Sequence, residues 1–99
     1  MIKSFETVLK NIDGADLKEP GNDVPITLKS VAVNALLATM PNDSPAAEEK
    51  VKRFILAMKI QGSSGEIDLT PEDIVLIKRM VGQAMATLIV GQAFALLDA

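Results

Sequence analysis

The C-terminal third of the chain limits its possible folds most strongly, because no residue from position 80 to position 97 carries a charge. A helix start lies several residues before this stretch: Thr70 is a capping residue, Pro71 a first-turn proline, and the two acidic residues that follow are favoured by the helix dipole. Apolar residues recur at helical spacing from there to the end, which predicts helix over residues 71–97. A domain of 99 residues has to cover so apolar a helix, either in its own core or against another molecule.

The tetrapeptide Val-Gly-Gln-Ala occurs at residues 81–84 and again at 90–93. On one continuous helix, nine residues at about 100° each turn the side chains by about 180°, so the two copies would face opposite ways. A break near residues 86–88, which gives two helices packed on each other, accounts for this pattern most simply. The sequence alone leaves both one helix and two helices open.

Three interpretations of residues 80–97 follow. They form an interface with a partner or a homodimer, they fold back as the core of a compact monomer, or they attach the protein to a membrane. Crossing a bilayer takes about 20 apolar residues, and this segment contains glutamines and no interfacial Trp or Tyr, so we do not expect a membrane partner. The residues that we expect at a partner or dimer interface are Met85, Leu88, Ile89, Phe94 and Leu97.

The first 70 residues combine strand and helix signals. Residues 3–12 and 24–28 predict an N-terminal β-hairpin around a polar tip, although a short helix over 4–11 also fits the first segment. Residues 66–69 are compatible with a third short strand. A helix over 31–39, capped by Thr27 or Ser30, and a helix over 45–61, capped by Ser44, should follow the hairpin. We expect the second helix to bury Ala47, Val51, Phe54, Ile55 and Met58.

These elements predict one α+β domain over residues 1–99, with the hairpin packed on three to four helices.

The composition argues against catalysis. With no Cys and no His, the chain lacks thiol nucleophiles, the usual general base near neutral pH and the commonest metal ligand. The acidic residues have simpler explanations in turns and in the first turns of helices. We therefore expect no enzymatic activity, no cofactor and no metal site.

The charge balance argues against nucleic acid as a partner. Ten Lys and Arg face thirteen Asp and Glu, and the resulting net charge of -3 is opposite to what binding to phosphates requires. One local basic face is predicted on the helix over 45–61, where adjacent glutamates offset it. Its members are Lys50, Lys52, Arg53 and Lys59.

The order of elements over nearly the whole chain resembles a group of small proteins, about 100 residues long, encoded by tailed bacteriophages. The residues that carry the resemblance are Ile12-Asp13-Gly14, Pro25-Ile26-Thr27-Leu28, Ala35-Leu36-Leu37, the Lys-rich helix over 49–60, Ile67-Asp68-Leu69-Thr70 and the closing segment 90–97. The resemblance implies a phage-encoded protein in the cytoplasm of a bacterial host. It implies either an accessory role in virion assembly, which we expect, or inhibition of a host protein.

Overall fold

The computed structural model describes residues 2–21, 23–38 and 44–99. The described elements are two short strands and four helices, which confirms the predicted α+β class. In chain order they are β1 (Ile2–Ser4), α1 (Leu28–Leu37), α2 (Ala47–Gln61), β2 (Glu66–Asp68), α3 (Pro71–Ala84) and α4 (Thr87–Asp98).

The strands β1 and β2 form an antiparallel pair in which Lys3 lies opposite Ile67. The N-terminal strand therefore pairs with the predicted third strand, and the segment around residue 26 meets the N-terminal region through single bridges such as Val8 with Thr27. Ile67 is buried, and the amine of Lys3 donates a hydrogen bond to the main-chain oxygen of Ala99. This bond ties the sheet to the end of α4.

The segment between β1 and α1 is held by a ring of three backbone hydrogen bonds. Leu9 N–H donates to the oxygen of Ile26 (2.8 Å), Ile26 N–H to that of Leu17 (2.8 Å), and Leu17 N–H to that of Leu9 (2.9 Å). Two tight turns complete this arrangement, and their glycines Gly14 and Gly21 have φ values of 91° and 82°, which residues with a Cβ rarely adopt. The predicted hairpin segments thus lie side by side, joined by a third extended segment.

Helix α1 lies at the centre of the fold and packs against both α2 and α3. Of the two candidate caps, Thr27 is the one that caps it, and Ser30 lies inside the helix as its partner in a capping box, so the helix starts three residues earlier than expected. Its predicted end at residues 39–40 lies outside the described residues. The radius of gyration of 13.2 Å agrees with the value of about 13 Å for a domain of this length.

Helices α3 and α4 are separate and pack on each other, as the predicted break near residues 86–88 requires. Thr70 caps α3 through a capping box with Asp73, and the two copies of the repeated tetrapeptide fall one in each helix. In the second copy, the side-chain amide of Gln92 forms two hydrogen bonds of 2.7 Å with the backbone of Lys10. Its oxygen accepts from the N–H of Lys10, and its nitrogen donates to the carbonyl oxygen of Lys10. This pair of bonds fastens the N-terminal segment to α4.

Helix α2 begins two residues later than predicted. Its first residue is Ala47 and its N-cap is Ala46, which has no side-chain oxygen to offer the first turn. Ser44 and Pro45 precede the helix and so do not cap it. This correction moves the helix start only slightly, whereas the orientation of α2 differs from the prediction much more.

Candidate functional site

Helix α2 presents an apolar face to solvent. Val51, Phe54, Ile55 and Met58 are each between 54% and 59% exposed, and their spacing of three and four residues places them on one side of the helix. We call these four residues the outer face of α2. Exposed contiguous apolar surface of this kind marks interaction sites in proteins.

This exposure overturns the predicted buried face of α2. The residues that α2 buries are Arg53, Leu56, Ala57 and Ile60, each two positions after a member of the outer face. Two residues turn a helix by about 200°, so the buried side is opposite to the predicted one. Ala47, also predicted to be buried, is exposed at the N-terminal end of the helix.

The contrast between Arg53 and its neighbour Phe54 is the most informative feature of α2. Arg53 is only 5% exposed, whereas Phe54 is 54% exposed. The guanidinium of Arg53 donates to Oε2 of Glu49 at 2.8 Å, which gives the buried cation a charged partner. Burial of a charge is costly even when it is paired, and exposure of a phenyl ring forgoes hydrophobic stabilisation. The isolated chain thus buries a charged side chain and exposes an apolar one, and each arrangement is less favourable than its reverse.

Glu49 also links α2 to α3. Its Oε1 accepts a hydrogen bond from Arg79 of α3 while Oε2 accepts from Arg53. The hydrogen bond from Arg79 is the main reason that the pKa of Glu49 is lowered, and the charges of the two arginines add to it. Glu49 is therefore ionised near neutral pH and acts as a clamp between the two helices.

A groove of about 820 Å³ runs between α2 and α3 beside the outer face. Ile55 belongs to both surfaces, and Leu76 and the exposed Val75 line the groove from the α3 side. The charged residues Lys52 and Glu72 also line it. The outer face therefore continues around Ile55 into a groove with apolar and charged lining.

The predicted interface residues of the C-terminal region fold against their own chain. Leu97 is completely buried, which removes it from any surface of this fold. Met85, Ile89 and Phe94 are half-buried and pack against the core, and Leu88 is half-buried. The ring of Phe94 lies under the amine of Lys78, 4.9 Å from the ring centre. This arrangement matches the compact interpretation of residues 80–97.

Within residues 2–21, 23–38 and 44–99, none of the helices combines the length and hydropathy required to span a bilayer.

The four predicted basic residues do not form one face. Arg53 is buried, which corrects its assignment to a solvated surface. Lys50 is exposed on nearly the opposite side of α2 from Lys52, because the two residues are two positions apart and two positions turn a helix by about 200°. Lys59 is exposed and its amine donates to the main-chain oxygen of Asp68 at 2.7 Å. The structure thus brings only Lys52 and Lys59 to the same side.

Sequence reasoning missed the clamp formed by Glu49 and Arg79, which joins residues 30 positions apart. The local signal at Glu49 is that of an ordinary acidic first turn, and nothing nearby in sequence indicates its partner. We found no family model, curated protein or solved structure that matches this chain. Its function has therefore to be inferred from its own geometry.

Proposed function

We propose that this protein is a non-enzymatic protein–protein interaction module whose contact surface is the outer face of α2. The observation that carries the proposal is the inversion at neighbouring positions, where Arg53 is buried and Phe54 is exposed. A partner that covers the outer face would restore the usual preference for a buried phenyl ring.

Burial of the outer face by a partner would contribute favourable free energy to binding. Full burial of a Val, Ile, Phe or Met side chain is worth about 1.5–3 kcal/mol. Because the four side chains are about half exposed, a partner can still gain about 1 kcal/mol from each, or about 4 kcal/mol from this face. Association itself costs about 4–15 kcal/mol, so the partner has to contribute comparable surface, and the contact should be reversible.

The setting of this interaction is the one that the resemblance to tailed-phage proteins implies. We place the protein in the cytoplasm of the host, where it acts as an accessory to virion assembly. A reversible apolar contact suits an accessory that associates with assembling components. The absence of His and Cys is consistent with a role that involves binding and no bond chemistry.

Site-specific photo-crosslinking tests this proposal. A photoreactive phenylalanine analogue replaces Phe54 in one variant and Gln83, an exposed residue of α3, in a control variant. In lysate of the cells that produce the protein, we expect crosslinks from position 54 to a phage protein or to a second copy, and few from position 83.

Crosslinks from position 54 to a host protein would overturn the assembly role and support inhibition of the host. Equal yields at both positions, or none at either, would contradict the assignment of the outer face as the contact surface.

A further inference from the structure

We infer that the clamp between Glu49 and Arg79 decides which side of α2 faces solvent. While the clamp is closed, the outer face is displayed. When the clamp is broken, α2 turns about its own axis by about half a revolution and buries that face in a second packing of the same chain. This inference rests on the proposed function and adds a means of regulating it, because release of the clamp withdraws the contact surface.

The side of α2 that the turn buries carries no charge. It consists of the outer face and of Ala47, which lies one helical turn before Val51 on the same side. The side that is buried now includes the charged Arg53, and its large apolar members are Leu56 and Ile60. The turn thus buries four large apolar side chains in place of two and returns the cation to water. Burial of apolar surface alone therefore favours the turned packing.

Glu49 opposes this preference through two contacts. Its bond with Arg53 joins residues of the same helix and turns with it, but it supplies a carboxylate to a guanidinium that is buried only in the present packing. Its bond with Arg79 joins α2 to α3. Because Glu49 lies one helical turn before Arg53 on the same side, half a revolution points its carboxylate away from α3 and breaks the clamp. Both contacts therefore stabilise the present packing over the turned one.

The surroundings of α2 leave room for such a turn. The helix packs mainly on α1, and the groove separates it from α3 along one side. The Cα atoms of a helix lie about 2.3 Å from its axis, so half a revolution moves each end of the chain by less than about 5 Å. The connector from α2 to β2, residues 62–65, has a glycine at each end and can absorb a displacement of this size.

Single cysteines report which side of α2 faces solvent, because the natural chain contains no cysteine. Val51→Cys places a thiol on the outer face, and Ala57→Cys places one at a position that is 1% exposed. A buried thiol reacts only after local opening, so position 51 should react with a maleimide at least about tenfold faster than position 57. Each rate is divided by the rate of the same variant unfolded in urea, which removes differences in intrinsic reactivity.

Glu49→Gln breaks the clamp and should reverse this order of labelling. We expect the rate at position 57 to rise by about tenfold or more and the rate at position 51 to fall, while circular dichroism shows a folded chain. Asp98→Asn is the matched control, because it removes another ion pair of α3, in which Lys78 contacts Asp98 at 2.8 Å. The control should leave the order unchanged.

A second substitution separates the turn from a general loss of stability. Met58 is exposed on the outer face, so Met58→Lys costs little in the present packing but places a charge inside the turned one. When it is added to Glu49→Gln, position 51 should again react faster than position 57. A variant that is merely loosened by loss of the clamp would gain nothing from a lysine at an exposed position.

An unchanged order in Glu49→Gln would overturn the inference, as would a reversed order that persists when Met58→Lys is added. Labelling of both positions at their rates in urea would also overturn it, because the turned packing is a folded state. If the order does not reverse but position 54 of the natural chain gives specific crosslinks, the proposed function stands and only the inference fails. If the order reverses and position 54 gives no specific crosslink, the proposed function fails and the turn remains a property of the fold.

Discussion

The substitutions Leu56→Ala and Ile55→Ala test the orientation of α2 directly. The two residues are adjacent, yet Leu56 is 5% exposed and Ile55 is 59% exposed. Truncation of a buried leucine costs about 2–5 kcal/mol of stability, and we expect about 3 kcal/mol for Leu56→Ala. Ile55→Ala should cost less than about 1 kcal/mol, because alanine also has the higher helix propensity.

Urea denaturation followed by circular dichroism measures this difference, at protein concentrations low enough to keep the chain monomeric. Thermal unfolding gives an independent value. For a chain of this length about 1 kcal/mol shifts Tm by about 4–8 °C, so Leu56→Ala should lower Tm by more than about 10 °C. The pair Ile60→Ala and Met58→Ala repeats the comparison one turn later, with Ile60 as the buried member.

The opposite order would refute the reasoning. If Ile55→Ala costs as much as Leu56→Ala or more, α2 is turned by about half a revolution relative to the structure. The outer face would then be core, as its periodicity alone predicts, and the proposed interaction surface would not exist.

Three further predictions concern contacts that hold the fold together. Gln92→Ala removes two hydrogen bonds to the N-terminal segment and should lower the free energy of unfolding by about 1–2 kcal/mol, whereas Gln83→Ala, its counterpart in the first tetrapeptide, should change it by less than about 0.5 kcal/mol. Thr70→Ala removes the side-chain cap of α3 and should cost about 1 kcal/mol in the same urea titration. The pKa of Glu49 is lowered, mainly by the hydrogen bond from Arg79. Its carboxylate therefore stabilises the fold at pH values above its ordinary pKa of 4.5. This stabilisation is lost as the pH falls through the lower pKa of the folded state. The stability of Glu49→Gln should therefore decline less than that of the wild type below pH 4.5, and parallel declines would contradict the clamp.

Local signals predicted the helical half of the fold well. The capping box at Thr70 and the repeat that favoured a break near residues 86–88 depend on neighbouring residues, and both are visible in a short stretch of sequence. The pairing of the strands was harder to predict, because β1 pairs with a segment more than 60 residues away. Local propensity indicates an extended segment but not which other segment it meets.

The orientation of α2 could not be predicted from its periodicity. Both sides of the helix carry apolar residues at helical spacing, and the exposed side is the more apolar of the two. What holds the other side inward includes the pairing of Arg53 with Glu49 and of Glu49 with Arg79. The second contact joins two helices, and such a tertiary contact leaves no trace in the hydrophobic pattern. A preference based on hydrophobicity alone therefore selects the wrong side.

The rates of oxidation of two methionines test most directly whether the outer face of α2 is open to solvent. Met58 is 57% exposed on that face, and Met80 of α3 is fully buried. With dilute folded protein and peroxide, followed by peptide mass spectrometry, we predict that Met58 oxidises much faster than Met80. Equal slow oxidation of both residues in dilute protein would show that the outer face is buried and would contradict this account.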